Sequence, residues 1–373
     1  MSDARLLDTF LELVRIDGPP GYEAATAGYC EAALLELGFE VHYDDSAAVT
    51  YSDTGNLIAT LPGTVPGVLA LSAHLDVVEP CRGIRPVVVD GVITSAGPTV
   101  LGADDRAGLA AAIEAARRLV ESGQPHPGLR AIFTVQEEVG LLGAKSLCAK
   151  DVECDLCLVL DAAGTPGGIV VGAPTHYTFT AEFLGRACHA GVCPEQGVSA
   201  IEVAALAITR MRLGRLDDAT TANIGTIRGG TVTNVVAGTC TLTGECRSLD
   251  PQRVEEVRAD MDAVMRSVAE ESGASVEVIW RLEYRGFSQA EESAQTALVS
   301  TACRRAGREP HTYRTGGGSD ANVLAEMGVP VLAMACGMQG VHGTDEQLAV
   351  ADLEALVEIV VEVARVMAKQ ADS

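Results

Sequence analysis

The sequence predicts an α/β protein whose mostly parallel sheet is interrupted by an inserted α+β module, and three observations carry that expectation. Short apolar runs at Gly67–Ala73, Leu129–Val135 and Leu156–Leu160 are separated by other stretches, one of them strongly helical, and a fourth run, Val329–Ala335, comes late. Alternation of this kind is how βαβ units build a parallel sheet. From about residue 175 to 286 the rhythm changes to β-α-β-β-α-β, the order of a ferredoxin-like unit. Finally, 373 residues exceed the roughly 250–300 at which one core stops growing, so two domains are expected.

The elements follow in order. Leu6–Val14 and Tyr22–Leu37 space their apolar residues as helices do, and Gly38 ends the second. Arg106–Glu121 is an Ala-rich amphipathic helix closed by Gly123 and Pro125. In the middle section Tyr177–Leu184 alternates as a strand and Ser199–Arg212 reads as a helix. Strands are expected at Thr221–Ile227 and Thr239–Arg247, a helix at Pro251–Glu271 and a last strand at Ser275–Tyr284. The expected division is therefore residues 1–174 with 287–373 as one domain and 175–286 as the insertion.

Composition removes several functions. With 51 acidic against 27 basic residues the net charge is −24, which repels phosphate backbones and anionic lipid, so neither nucleic acid nor a membrane is expected as a partner. The start carries charges of both signs, and longer apolar stretches such as Leu353–Met367 are broken by acids, as expected of a soluble protein. Eleven scattered cysteines fit thiols kept reduced in a cytoplasm. Cys154-Asp-Leu-Cys157 is read as part of a buried strand, its two thiols on opposite faces and therefore poor chelators.

Chemistry collects where the core strands end, the place where open α/β sheets bind ligands. His74-Leu-Asp76 follows the first strand, Glu137-Glu138 the second, Asp161 the third, and His342 the fourth after a Gly-rich turn. Gly102-Ala-Asp104-Asp105 leads into the Ala-rich helix. Two imidazoles with several carboxylates form a donor set for zinc or a similar divalent ion. Five donors exceed the need of one open tetrahedral site, whereas two ions sharing a carboxylate would use them all. His74 and Asp76, two apart in extended chain, face the same way, so one can ligate while the other orients the imidazole. Of the adjacent Glu137 and Glu138, one ligates and the other is free to take a proton from metal-bound water.

His74-x-Asp76, Gly102-x-Asp104-Asp105-x-x-Gly108, Glu137-Glu138, Asp161 and His342 together resemble the di-zinc exopeptidase and aminoacylase family that includes carboxypeptidase G and peptidase T. The Gly164–Gly172 segment, Cys188-His-Ala-Gly191 with Pro194-Glu-Gln-Gly197, and Thr221–Thr226 look most like the peptidase T branch. The resemblance implies a zinc-exopeptidase-like catalytic domain with a lid that also dimerises. It also implies two divalent ions, Zn2+ with Co2+ or Mn2+ as alternatives, and short peptides as substrates. It makes Asp104 the bridging ligand, gives His74 and Asp161 to one ion and Glu138 and His342 to the other, and leaves Glu137 as general base with Asp76 behind His74. An Asp104–Asp105 cis peptide is implied as well. In the lid His189 matches a residue that stabilises the oxyanion, generally in the partner subunit. Asn234 and Arg247 match residues that hold the substrate's backbone and carboxylate. Gly317 and Ser319 lie in a Gly-rich loop on the substrate side. Val77, Val78 and Ala237 depart from the usual residues of relatives without touching a ligand.

Three functions stay in view: a di-zinc exopeptidase for short peptides, a deacylase of N-acyl amino acids on the same architecture, and an inactive metal-binding protein. The free acid Glu137 argues against the third, because binding needs no base. No Gly-rich nucleotide loop follows an early strand.

Overall fold

The computed structural model describes Ser2–Ala371 and divides into two compact units. The first comprises residues 1–171, 288–314 and 319–373; the second comprises residues 172–287 and 315–318. The insertion thus spans a few residues more than expected. The four-residue stretch from Thr315 to Gly318, expected in the catalytic half, groups with it.

The first unit is built on a nine-stranded sheet with four parallel strands at its centre. In chain order the central elements are β1 (Val68–His74), the helix α1 (Ala103–Ser122), β2 (Gly128–Thr134), β3 (Leu156–Ala162), the short helix α2 (Asp320–Glu326) and β4 (Val331–Ala335). The parallel strands lie in the order β2-β1-β3-β4, flanked by Leu57–Leu61, antiparallel to β2, and Gly168–Ala173, antiparallel to β4. Their register places His74 opposite Thr134, Ser72 opposite Val159 and Ala335 opposite Ala162, so the carboxyl ends of all four finish close to one level. Each strand is a nearly continuous apolar run because both faces are covered.

α1 is buried along most of its length, and its small residues, Ala107, Gly108, Ala110 and Ala111, let it approach the sheet closely. At Gly108 the approach is tightest: a side-chain carbon there would collide with the Leu160 carbonyl oxygen and the Asp105 carboxylate. A separate four-stranded sheet joins Pro86–Val89 and Val92–Ser95 to the hairpin Met338–Gln339 and Gln347–Ala349. His342 sits in that hairpin's loop. Cys154 precedes β3, which starts at Leu156, so the strand alternation expected for Cys154 and Cys157 does not apply to them; only Cys157 is fully buried.

The second unit has the expected ferredoxin-like order. Its antiparallel sheet runs Thr220–Gly229, Thr239–Ser248, Thr175–Leu184, Ser275–Tyr284, with a short extra strand, Gly214–Asp217, on the Thr220 edge. Helices Ala200–Arg210 and Pro251–Glu271 close a core that includes Phe179, Phe183, Leu242, Met261 and Met265. Ser199 caps the first helix, and Asp250 followed by Pro251 starts the second. Among the described residues no helix is long and apolar enough to cross a membrane.

Substituting Gly108→Ala should lower stability by about 1–3 kcal/mol, since neither the β3 backbone nor the Asp105 carboxylate can retreat from the added methyl. Calorimetry reads this as a lower Tm, and an unchanged Tm would show that α1 is not pinned there.

Candidate metal centre

At the end of β1 the His74 ring is buried and both its nitrogens are engaged. Nδ1 faces Asp76, 3.0 Å from its backbone carbonyl and 3.3 Å from its carboxylate, while Nε2 stands 3.0 Å from Asp104 Oδ1 and 3.8 Å from Asp161 Oδ1. A ring whose Nδ1–H is committed to a carbonyl presents Nε2 as the ligating nitrogen. The Asp76 carboxylate also accepts the backbone N–H groups of Glu137, at 3.0 Å, and Glu138, at 3.1 Å.

The other oxygen of Asp104 lies 3.3 Å from His342 Nε2, and that nitrogen is 3.1 Å from Glu138 Oε2. His74, Asp104 and Asp161 form one group of ligand atoms all within 4.8 Å of one another; Asp104, Glu138 and His342 form a second, with Asp104 common to both. His74, Glu137 and Glu138 form a third. Donors about 2.0–2.2 Å from a tetrahedral ion stand about 3.3–3.6 Å apart, which these separations bracket. Glu138 Oε1 is buried without a hydrogen-bond partner, a position that an ion would satisfy. The donor set therefore fits two divalent cations.

Asp104 and Asp105 are joined by a cis peptide. Asp105 is not turned toward the ligand atoms: it accepts from Gly108 N at 3.0 Å and His74 N at 3.3 Å, tying the start of α1 to β1. His342 has a positive φ of 65° and a side chain 53% exposed, so the second group is the more open to solvent.

Charge dominates the centre. Burial opposes the charged form of His74, yet its bonds to Asp104 and Asp76 hold it well above the ordinary 6.5. Hydrogen bonds to Asp104 and Glu138 raise His342 to about 10. Burial, reinforced by the neighbouring acids, pushes Glu137 and Asp161 well above the usual carboxylate range. Two imidazoles do not balance so many acids, and cations relieve the imbalance.

Three functional features escaped the sequence. Glu346 is buried and accepts from Gly102 N at 2.6 Å and Asp104 N at 3.0 Å, so the loop that carries His342 also holds the backbone of Asp104. Asp320, first residue of α2, is buried with one oxygen on the Thr134 hydroxyl and the other without a partner. Glu23 is buried beside the turn that precedes Glu137. The nearest signal for Glu346 was its spacing of four from His342.

Of the remaining expected residues, Ser319 belongs to the first unit and the others to the second. His189 and Asn234 are both exposed, on segments bridged by His189 with Val235 and by Ala190 N–H to the Asn234 carbonyl at 2.9 Å. Arg247 donates to Glu245 at 2.9 and 3.2 Å and to the Tyr284 hydroxyl at 3.3 Å, so its guanidinium already has partners within its own unit. Gly317 N–H turns back to the Thr315 hydroxyl, and the Ser319 hydroxyl caps α2 with Asn322 in a capping box. None of these five residues takes part in the ligand groups described above.

Residues 70–366 match the model of peptidase family M20/M25/M40. The aminopeptidase PepT of Bacillus cereus ATCC 10987 superposes with a TM-score of 0.90 at 41% identity, covering 98% of this chain and 99% of its own. A tripeptidase of Staphylococcus aureus subsp. aureus Mu50 gives 0.95 at 37% identity, covering 99% of both chains. The protein YqjE of Bacillus subtilis (strain 168) is 39% identical over 99% of this chain and 100% of its own length. With a family match over most of its length and full-length similarity to these proteins, the chain belongs to the M20/M25/M40 peptidases, as a peptidase T-like, metal-dependent hydrolase.

Proposed function

We propose that the chain is a cytoplasmic aminopeptidase that hydrolyses di- and tripeptides with two divalent ions, zinc first among them, Glu137 serving as general base. The observation that supports this most directly is the division of the centre into two ligand groups sharing Asp104, with Glu137 beside them and Glu138 turned to His342. His74 and Asp161 would complete one site, Glu138 and His342 the other. Ions held there would supply Lewis acidity to the scissile carbonyl and to water. Glu137 takes the proton from the attacking water and passes it to the leaving amine, a task suited to a carboxyl whose affinity for protons burial has raised. Asp76 keeps His74 in its ligating tautomer. The similar solved proteins are an aminopeptidase and a tripeptidase, which favours peptides over N-acyl amino acids. Free thiols throughout the chain agree with the cytoplasm.

We assign substrate contacts to His189, Asn234, Arg247, Gly317 and Ser319, and infer a homodimer formed through residues 175–286. Exposed apolar side chains there, among them Val192, Val232, Ile227 and Ile279, support the dimer. Sedimentation equilibrium should give twice the 38.7 kDa chain mass, and a monomer at all concentrations withdraws the dimer.

Metal analysis after reconstitution should approach two equivalents in the wild type and Glu137→Gln, and fall in Asp104→Ala and Glu138→Gln. Turnover of Glu137→Gln should drop by about 10²–10⁴ with its metals retained. Because the neighbouring carboxylates favour the protonated form of both imidazoles in the metal-free centre, loading should release protons in calorimetry across buffers, and binding should weaken as pH falls. A stoichiometry that never passes one overturns the paired site.

Against a panel of free and N-acetylated peptides and N-acetyl amino acids, the loaded enzyme should cleave only substrates with a free amino end. His189→Ala should lower kcat, and Arg247→Ala should raise KM. Preference for the acetylated compounds would make the protein a deacylase.

A further inference from the structure

β2 ends at Thr134, and the N–H groups just beyond it have left the ladder and must find other partners. Asn56 Oδ1 takes that of Val135 at 3.0 Å. The next three are taken by two buried carboxylates: Gln136 N–H by Glu23 Oε1 at 3.1 Å, then Glu137 N–H and Glu138 N–H by Asp76 at 3.0 and 3.1 Å. Between these anchors Gln136 is held at φ +51°, in the left-handed region that a residue with a side chain enters only when its surroundings demand it. The turn there sets the course of the backbone into Glu137 and Glu138.

Glu23 sits 113 residues before this turn and is wholly buried. Its Oε1 also accepts from Gly21 N at 2.8 Å, and its Oε2 accepts from the Ser52 hydroxyl. The Gln136 side chain adds a further tie, donating from Nε2 to the Thr50 carbonyl at 3.1 Å. The loops at 21–23 and 50–52 are thereby fastened to the peptide that precedes the base. Without Glu23 the buried Gln136 N–H has no acceptor, and the backbone is released to relax out of the left-handed region. That relaxation displaces the carboxylate of Glu137, the residue next along the chain, while Glu138 keeps its contact with His342.

We infer that Glu23 is a positioning residue for Glu137, acting through the Gln136 peptide from outside the ligand set; this rests on the reading of Glu137 as the general base. What matters in this arrangement is reach and an acceptor oxygen. Gln at position 23 keeps both, since the Ser52 hydroxyl can turn to accept from the new amide. Asp keeps the charge but falls one methylene short.

The test compares metal-loaded wild type with Glu23→Ala, Glu23→Gln, Glu23→Asp and Glu137→Gln on trialanine, with metal content measured for each. A misplacement of this kind should cost Glu23→Ala and Glu23→Asp about 10–100-fold in kcat, with KM within about twofold and two ions still bound. Glu23→Gln should stay within about threefold of wild type. If Glu23→Ala does not fold, the contrast between the Gln and Asp variants decides alone. Near-wild-type kcat in the Asp variant, an impaired Gln variant, or a fall in kcat matched by lost metal overturns the inference. A fully active Glu137→Gln would instead overturn the underlying reading of the base, whatever the Glu23 variants do.

Discussion

One buried carboxylate holds the centre together. Asp76 meets the His74 ring with both its carbonyl and its side chain, and it accepts the N–H groups of Glu137 and Glu138 from the neighbouring strand. Three contacts thus converge on one carboxylate, with a fourth on the same residue's carbonyl. Its position follows from the parallel register: β1 and β2 end side by side, so a residue two beyond one strand lies within reach of the residues three and four beyond the other. Any change in that register would move the imidazole and both glutamates apart.

Around this point the rest of the unit supplies rigidity and charge. α1 lies close because its facing residues are small, which brings Asp104 over the strand ends, and Glu346 fixes the Asp104 backbone from the far side. Asp105, Asp320 and Glu346 lie buried near the proposed ligands, and burial above all, with the neighbouring acids, raises the proton affinity of each. Such a cluster is stable as a charged assembly chiefly when divalent cations share it, so the excess of acids and the donor geometry express one requirement.

Much of this was legible in the sequence because strand ends in an α/β sheet are points where an apolar run stops abruptly. A His or carboxylate at that break, as at His74, Glu137 and Asp161, stands out against its surroundings. His342 was found, but its setting was not: strands of two to four residues, such as Met338–Gln339 and Gln347–Ala349, are too short to show a period. Glu23, Asp320 and Glu346 were missed because isolated acids near helix starts and loops look like caps or solvated charge, and only burial reveals otherwise. The cis Asp104–Asp105 bond came from resemblance and has no signature in spacing. Thr315–Gly318 joined the insertion rather than the flanking domain because spatial grouping of a short loop leaves no compositional mark.

The insertion also sets an order in time. Residues 172–287 are continuous and carry their own core, whereas β3 must wait for β4, the sheet neighbour that follows the whole insertion in the chain. At about 5–20 residues per second, ribosomal synthesis leaves β3 without that neighbour for on the order of ten seconds or more. During that interval the exposed edge of β3 is open to wrong partners, and His342, which follows β4, is the last donor to emerge. The inserted module can complete itself first, and the metal centre is assembled at the end of synthesis, when the acid-rich strand ends finally acquire their second imidazole.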